Sequence, residues 1–259
     1  MNDVRRIEID GKPIAGGRCP AICTPLVAAS RAALSDELAA VVAKGPDVLE
    51  WRADFFERID DAAAVVAMAR EIRERAGGIP LIFTCRAERE GGQRIARPAS
   101  GIADLLVEVS RAHAADIVDY ELANAAADVA RVREATLAAG VKLILSHHDF
   151  SGTPEPAAMR ATFDEAERAG ADIAKLAAMP RDLDHVLALL GATLEARRRL
   201  SIPIITMSMG AYGALSRMVG GVFGSALTFA VGQASSAPGQ LPIGDLRTVL
   251  AIVRRSMGA

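Results

Sequence analysis

The sequence has few aromatic residues and no excess of charge of one sign, and both shortages weigh against a nucleic-acid partner. Aromatic residues make up 4% of the chain, too few for a platform on which single-stranded bases stack. The 30 basic and 32 acidic residues give a formal net charge of −2, so no overall positive field would hold a polyanion. We therefore expect a protein that does not act on nucleic acid.

Long apolar runs are also lacking. The longest candidate, residues 218–230, falls short of the roughly 18 apolar residues that a spanning helix needs. The N-terminal residues contain no apolar core of a signal peptide. At 259 residues, 51% of them hydrophobic, the chain can close one core, and no linker interrupts it. We expect a cytoplasmic protein with no membrane partner and one domain over residues 1–259.

Cysteine is scarce, and no cofactor motif is present. Cys19, Cys23 and Cys85 form an odd set in a large chain, which is typical of a reducing compartment. The Cys19–Cys23 spacing could suit a metal, but no second Cys or His pair completes a four-ligand site. We find no dinucleotide, phosphate-loop, zinc-protease or serine-hydrolase motif. We therefore expect neither a metal nor a cofactor.

What the sequence does contain is a regular alternation of short apolar runs and longer segments of helical period. The predicted strands are Ala21–Leu26, Val48–Arg52, Leu81–Cys85, Ile117–Glu121, Val141–Ser146, Asp172–Leu176, Ile204–Met207 and Val222–Thr228. Most successive strands start about 30 residues apart, which is the length of one βα unit. Eight such units predict an α/β fold, a single (β/α)8 TIM barrel. The alternative is a doubly wound open sheet, which usually has a glycine-rich phosphate turn.

Amphipathic segments between these strands predict the helices. They are 30–44, 60–75, 99–114, 124–139, 156–169, 183–199 and 243–257. Residues 1–18 are polar and show no regular pattern. We expect them to form an irregular N-terminal extension that caps the barrel floor.

Charged and polar residues fall at the ends of several predicted strands, which is the face where barrel chemistry gathers. They are Glu50, Arg52, Arg86, Glu121, His147, His148, Lys175 and the run Met207–Met209. A polar side chain inside an apolar strand costs about 1–3 kcal/mol unless it is paired. Their convergence on one rim therefore predicts a functional site.

Lys175 is one of only four lysines among the 30 basic residues, and it lies in an otherwise apolar strand. One interpretation is structural, with the ammonium paired to Glu50 or Glu121. The other is catalytic. An apolar barrel and neighbouring cations would lower the pKa of the amine, which could then attack a ketone and form an imine that serves as an electron sink. The residues alone leave both open.

The preceding strand ends in two histidines, His147 and His148. Parallel strands lie about 4.8 Å apart, so a histidine here could exchange protons with a substrate bonded to Lys175. Side chains alternate along a strand, so the two imidazoles should point in opposite directions. The period does not choose between them.

Three arginines and one loop complete the candidate set. The forked guanidinium of Arg52, Arg86 or Arg217 could bind a carboxylate or hydroxyl. The small-residue segment 235–240 precedes the last helix. Its composition fits a mobile lid and fits a plain βα turn equally well.

Taken in order, the motifs resemble those of the type I 3-dehydroquinate dehydratase family from about residue 20 to residue 250. They are Glu50-Trp51-Arg52-Ala53-Asp54, Phe83-Thr84-Cys85-Arg86, Arg89-Glu90-Gly91-Gly92, Ser146-His147-His148-Asp149-Phe150, Ala171-Asp172-Ile173-Ala174-Lys175, Ile205-Thr206-Met207-Ser208-Met209-Gly210, Leu215-Ser216-Arg217, Phe223-Gly224-Ser225-Ala226 and Ala237-Pro238-Gly239-Gln240.

This resemblance implies a barrel lyase of the shikimate pathway that converts 3-dehydroquinate to 3-dehydroshikimate through a lysine Schiff base, without a metal. It also implies a homodimer. The resemblance assigns the imine to Lys175 and proton transfer to His148, with Glu90 orienting the imidazole. The substrate-binding residues that it implies are Glu50, Arg52, Arg86, Met207, Met209, Arg217, Ser236 and Gln240.

Two other functions fit the same residues. One is an aldolase-like Schiff-base lyase for a different keto acid. The other is a ligand-binding relative without turnover, against which an intact Lys175 and His148 argue.

Overall fold

The computed structural model describes residues 4–9, 11–17 and 20–258, and it begins with a hairpin. Strands β1 (Val4–Ile9) and β2 (Lys12–Gly17) pair antiparallel. The expectation of an irregular N-terminal segment is therefore wrong, because isoleucines alternate with charged residues along β1. Ile7 and Ala15 are buried in one cluster with Ile117 and Ile144, at the beginnings of barrel strands. The hairpin covers the barrel floor, as the sequence predicted.

Eight parallel strands follow. They are β3 (Ala21–Leu26), β4 (Val48–Arg52), β5 (Leu81–Thr84), β6 (Ile117–Glu121), β7 (Lys142–Asp149), β8 (Ile173–Ala178), β9 (Ile204–Ser208) and β10 (Leu227–Val231). From β3 to β9 each strand pairs with the next, and β10 pairs with β3. Between β9 and β10, a parallel bridge joins Ile204 to Ser225, and the N–H of Ala226 donates to the Ile204 carbonyl at 2.8 Å. The predicted (β/α)8 barrel is confirmed, and the open-sheet alternative is excluded.

One helix follows each barrel strand within the described residues. They are α1 (Arg31–Val42), α2 (Ala62–Arg75), α3 (Ala99–Arg111), α4 (Ala126–Ala139), α5 (Pro156–Arg168), α6 (Leu183–Arg199), α7 (Gly210–Phe223) and α8 (Ile243–Ser256). Ser30, Asp61 and Asp182 each cap a helix by accepting a backbone N–H with the side chain. A short strand, β11 (Leu241–Pro242), pairs with the edge of β10 opposite β3. No helix of the described chain has the length and apolar character that crossing a membrane requires.

The predicted strand Val222–Thr228 is wrong at its start, because α7 occupies the chain up to Phe223. This helix was not predicted, since its four glycines weaken the helical signal. The glycines allow α7 to pack closely against the barrel. A Cβ at Gly213 would lie 2.2 Å from the Ser208 carbonyl oxygen, and one at Gly221 would lie 2.3 Å from Cδ of Pro20. Arg217 consequently lies on α7, the helix before the eighth barrel strand.

Alternation along the strands divides the apolar residues between two cores. Side chains such as Trp51 and Phe83 pack outward against the helices. Ile144 on β7 and Ile173 on β8, which pair in register, face the barrel interior. Towards the carboxyl ends of the strands, the inward positions become polar. This polar layer is where the candidate site lies.

Candidate active site

Lys175 lies in the middle of β8 with its side chain inside the barrel and 4% exposed. Its Nζ donates to Oδ2 of Asp119 at 2.8 Å and lies 3.8 Å from Oε1 of Glu50. The ring of Phe229 faces the same ammonium at 4.9 Å, which is within cation–π range. Glu50 is thus one of the two partners that the sequence suggested. The direct partner is Asp119, whereas Glu121 pairs with a different cation.

Asp119 was not predicted as a site residue, although it connects the buried charges. Its Oδ1 accepts from the Ser146 hydroxyl at 2.6 Å and lies 2.8 Å from Nη2 of Arg86. Burial favours a higher pKa for Asp119, but Arg86 and Lys175 outweigh burial and hold the pKa below its ordinary value. The missed signal is the period of β6, because residues 117, 119 and 121 must share one face. Because Glu121 faces the interior, Asp119 faces it as well.

His148, rather than His147, faces the interior. Ser146 pairs in register with Lys175, so His148, two residues further along β7, points the same way. Its side chain is 11% exposed, against 33% for His147. Burial lowers the pKa of His148 well below its ordinary value, and Arg86 and Lys175 lower it further. The imidazole is therefore neutral near pH 7 and can accept a proton.

Glu90 orients the His148 ring. One carboxylate oxygen, Oε2, lies 2.9 Å from Nδ1 of His148 and accepts the backbone N–H of the same residue at 2.9 Å. Burial raises the pKa of Glu90 to about 7, against the opposing effect of Arg86. A carboxylate on Nδ1 leaves Nε2 of the imidazole for exchange with a ligand, which is how orienting groups select a tautomer. The predicted pairing of Glu90 and His148 is present in the structure.

Arg86 and Glu50 are held by polar neighbours on adjacent strands. Nη1 of Arg86 donates to Oε1 of Glu121 at 2.8 Å and to the Ser146 hydroxyl at 2.9 Å. Burial favours a lower pKa for Arg86, but the carboxylates of Asp119 and Glu121 outweigh it and raise the pKa above its ordinary value. Glu50 accepts from the Thr84 hydroxyl at 3.0 Å. Both side chains are therefore fixed in direction by neighbours on adjacent strands.

The loop 235–240 lies over the site and is held by its own side chains and by two arginines. Gln240 donates from Nε2 to the Ser236 hydroxyl at 3.1 Å and accepts the Ser236 N–H at 3.1 Å. Nη1 of Arg52 donates to the Ser236 carbonyl at 3.2 Å, and Nη2 of Arg217 donates to the Pro238 carbonyl at 3.1 Å. The loop thus takes up donors that an anionic ligand could otherwise occupy.

These side chains enclose a cavity of about 40 Å³ at the carboxyl end of the barrel. Among the predicted site residues, all of which are described, Arg217 alone does not line it. Arg217 is 1% exposed, its Nη1 lies 3.7 Å from Sδ of Met207, and burial lowers its pKa to about 10. Met207 and Met209 form part of the cavity wall. The structure therefore brings the predicted set together, with Arg217 behind the wall.

The arrangement can form and break a carbon–nitrogen double bond and move a proton. A primary amine, a neutral imidazole oriented by a carboxylate, and buried guanidinium groups meet in one enclosed space. No cluster of three or more His, Cys, Asp or Glu side chains in the described part of the chain is arranged to hold a metal ion. Cys23 and Cys85 are buried free thiols. Cys19 lies outside the described residues. The possible metal pair Cys19–Cys23 therefore lies partly outside them as well.

Comparisons with known proteins agree with this geometry. The family model for type I 3-dehydroquinase matches residues 22–257. A 3-dehydroquinate dehydratase from Albidiferax ferrireducens is 53% identical over 258 residues, which span 100% of this chain and 98% of the relative. The crystal structure of 3-dehydroquinate dehydratase from Geobacillus kaustophilus HTA426 has a TM-score of 0.95 and 48% identity, covering 98% of this chain and 99% of that one. The type I 3-dehydroquinate dehydratase from Clostridium difficile, solved with covalent modified comenic acid, has a TM-score of 0.92 and 34% identity, with coverage of 98% and 99%.

Proposed function

The chain belongs to the type I 3-dehydroquinase family, and we propose that its barrel site dehydrates 3-dehydroquinate to 3-dehydroshikimate and water through an imine on Lys175. The observation that carries the proposal is the pairing of one buried amine with an oriented, neutral imidazole in the same cavity. The amine supplies the electron sink and the imidazole supplies the base, which are the two functions that this elimination needs.

The reaction begins when the deprotonated Nζ of Lys175 attacks the C3 ketone and water leaves to form an iminium ion. The iminium withdraws electrons from C2 and makes its proton acidic. His148 removes that proton, and the resulting enamine expels the C1 hydroxyl, which leaves as water after protonation by the same imidazole. Hydrolysis of the product imine then frees Lys175. Glu90 stabilises the imidazolium that exists between the two proton transfers.

Substrate contacts follow from the positions of the remaining residues. Glu50 and Arg52 face the cavity from β4, and Arg86 faces it from the segment after β5; all three are suited to ring hydroxyls. Arg217 and Gln240 are suited to the carboxylate on C1, and fixing that group orients the ring for elimination. Ser236, Met207 and Met209 complete the wall.

Entry of the substrate requires the loop 235–240 to move. The cavity of about 40 Å³ is far smaller than the roughly 300 Å³ at which ligand pockets begin. Movement of the loop releases the donors of Arg52 and Arg217 from the Ser236 and Pro238 carbonyls. The same donors are then available to an anionic substrate. The loop is accordingly a lid in this proposal rather than a plain turn.

The proposal extends to organisation and location. One barrel domain accounts for the whole chain, and the enzyme works in the cytoplasm as a homodimer. The exposed Ile252 on α8 and Met257 directly after this helix support a self-association surface. Mass measured by light scattering tests the dimer, and a monomer at micromolar concentration would contradict it.

Turnover and covalent trapping test the function. With 3-dehydroquinate we expect the absorbance of an enone product. Borohydride in the presence of substrate should add one substrate-derived mass to Lys175. The Lys175→Ala variant should lose both signals. Lys142→Ala should keep them, because Lys142 is at the amino end of β7, away from the cavity, and its side chain is 41% exposed.

Two outcomes would contradict the proposal. Undiminished adduct in Lys175→Ala would remove Lys175 as the nucleophile. Binding of 3-dehydroquinate to the native protein without adduct and without product would favour a ligand-binding relative, and turnover of another keto acid alone would favour an aldolase-like lyase.

A further inference from the structure

We propose that Asp54 is a positioning residue for the dehydration, because its one carboxylate fixes both Arg52 and the loop that carries Glu90. The inference rests on the proposed function of the site. Asp54 lies in the 3-10 turn that follows β4, and its side chain is fully buried. It does not line the cavity, so it acts through its neighbours.

The first neighbour is Arg52, which Asp54 binds with both oxygens. Oδ1 accepts from Nε and Oδ2 accepts from Nη2 of Arg52, each at 2.8 Å. A two-point fork of this kind fixes the plane of a guanidinium as well as its distance. The fork directs Nη1 of Arg52 towards the loop 235–240, where it donates to the Ser236 carbonyl at 3.2 Å. Asp54 thereby determines the donor that faces the lid and the substrate.

The second neighbour is the loop between residues 86 and 93. Oδ1 of Asp54 accepts the backbone N–H of Arg86 at 3.3 Å, and Oδ2 accepts that of Gln93 at 3.0 Å. One carboxylate therefore holds both ends of this loop. The loop is tight, since a Cβ at Gly92 would lie 1.8 Å from the Arg86 carbonyl oxygen. It returns on itself because the N–H groups of Glu90 and Gly92 both donate to the Ala87 carbonyl.

Glu90 lies inside that loop and binds His148 through Oε2. A shift of the loop ends would move Glu90 and, with it, the imidazole that transfers the proton. Asp54 therefore affects the reaction along two routes. The route through Arg52 mainly affects substrate binding, since the contact of Arg52 with this loop is a long hydrogen bond from Nη2 to the Gly91 carbonyl at 3.4 Å. The route through Glu90 affects proton transfer. This separation makes the proposal testable by kinetics.

Asp54→Asn is the decisive variant because it keeps the size of the side chain. Its amide oxygen can still accept from Nε of Arg52, but its NH2 group would face two donors, Nη2 of Arg52 and the N–H of Gln93. We expect kcat to fall by about 10- to 100-fold, the range for small misplacements of catalytic groups. KM should rise as well. Asp60→Asn is the matched control, since Asp60 is exposed on the same connection, and it should behave as the native enzyme.

Rates are expressed per trapped site, so that a misfolded fraction does not imitate a kinetic effect. Each variant is saturated with 3-dehydroquinate and borohydride, and kcat is divided by the fraction that carries the adduct at Lys175. Asp54→Asn should still form the adduct, because Lys175 is held by Asp119, Glu50 and Phe229 and not by Asp54. A native enzyme that neither traps nor turns over would refute the proposed function instead.

A double-mutant cycle separates the two routes. Arg52→Ala alone should raise KM with little loss of kcat. In the Arg52→Ala background, adding Asp54→Asn should change KM little further, yet it should still lower kcat by about 10-fold or more. An unchanged kcat per trapped site in Asp54→Asn would overturn the proposal. Disappearance of the kcat loss in the Arg52→Ala background would overturn the route through Glu90.

Discussion

Replacement of Glu90 by glutamine should stabilise the protein at alkaline pH even though it removes a group of the active site. Burial raises the pKa of Glu90 to about 7 from an ordinary value of 4.5. The folded state therefore holds this proton more tightly than the unfolded chain does. Below about pH 4.5 both states are protonated, and the contribution of Glu90 to stability is at its most favourable.

Between pH 4.5 and 7, the unfolded chain ionises first, so the protein loses stability as pH rises. Above pH 7 the loss is complete. At about 1.36 kcal/mol for each unit of pKa shift, the rise from 4.5 to about 7 corresponds to a cost of about 3 kcal/mol. Glutamine does not ionise and so avoids this cost. Its amide oxygen can occupy the position of Oε2 and accept from both the backbone N–H and Nδ1 of His148.

Urea unfolding at pH 5 and pH 9 measures the difference. The single tryptophan of the chain, Trp51, is fully buried and reports unfolding by fluorescence. We expect Glu90→Gln to exceed the native protein in unfolding free energy by about 3 kcal/mol at pH 9 and by less than about 1 kcal/mol at pH 5. Glu88→Gln is the control, because Glu88 is exposed in the same turn. A pH-independent difference, or a Glu90→Gln protein that is less stable at pH 9, would refute the reasoning.

The remaining predictions concern the two histidines, Arg217 and Asp119. His148→Ala should still form the lysine adduct but lose about 10²- to 10⁴-fold in kcat. His147→Ala should keep a kcat close to native, because the ring of His147 lies outside the cavity. The reverse pattern would exchange the roles of the two histidines. Arg217→Ala should raise KM for the carboxylate substrate, and steady-state kinetics with unchanged KM and kcat would remove it from the site. Asp119→Ala leaves two buried cations without their shared carboxylate, so unfolding in urea should show a loss of about 3–5 kcal/mol, and a loss below about 1 kcal/mol would contradict this account.

The sequence by itself determined the architecture and the end of the barrel at which the polar residues gather. Seven of the eight predicted strands share at least four residues with an observed strand, because buried parallel strands require apolar runs that few other elements contain. The polar residues at the ends of those runs were conspicuous for the same reason. Lys175 was identifiable because an ammonium within an apolar strand needs a partner or a function. The choice of His148 came from the resemblance to a family, not from the residues themselves.

Only the tertiary structure decided which face of each strand is the interior and what meets there. Side chains alternate along a strand, so residues 117, 119 and 121 share one face. Barrel closure and strand register then bring Asp119 to Lys175 and Arg86. Helix α7 was hidden for a related reason. Its glycines weaken the local helical preference. Their advantage is close packing against Ser208 and Pro20, and these tertiary contacts leave no signal in the local sequence pattern. Local residue pattern thus sets the preference of each segment for strand or helix, whereas contacts across the barrel set which side chains meet in the site.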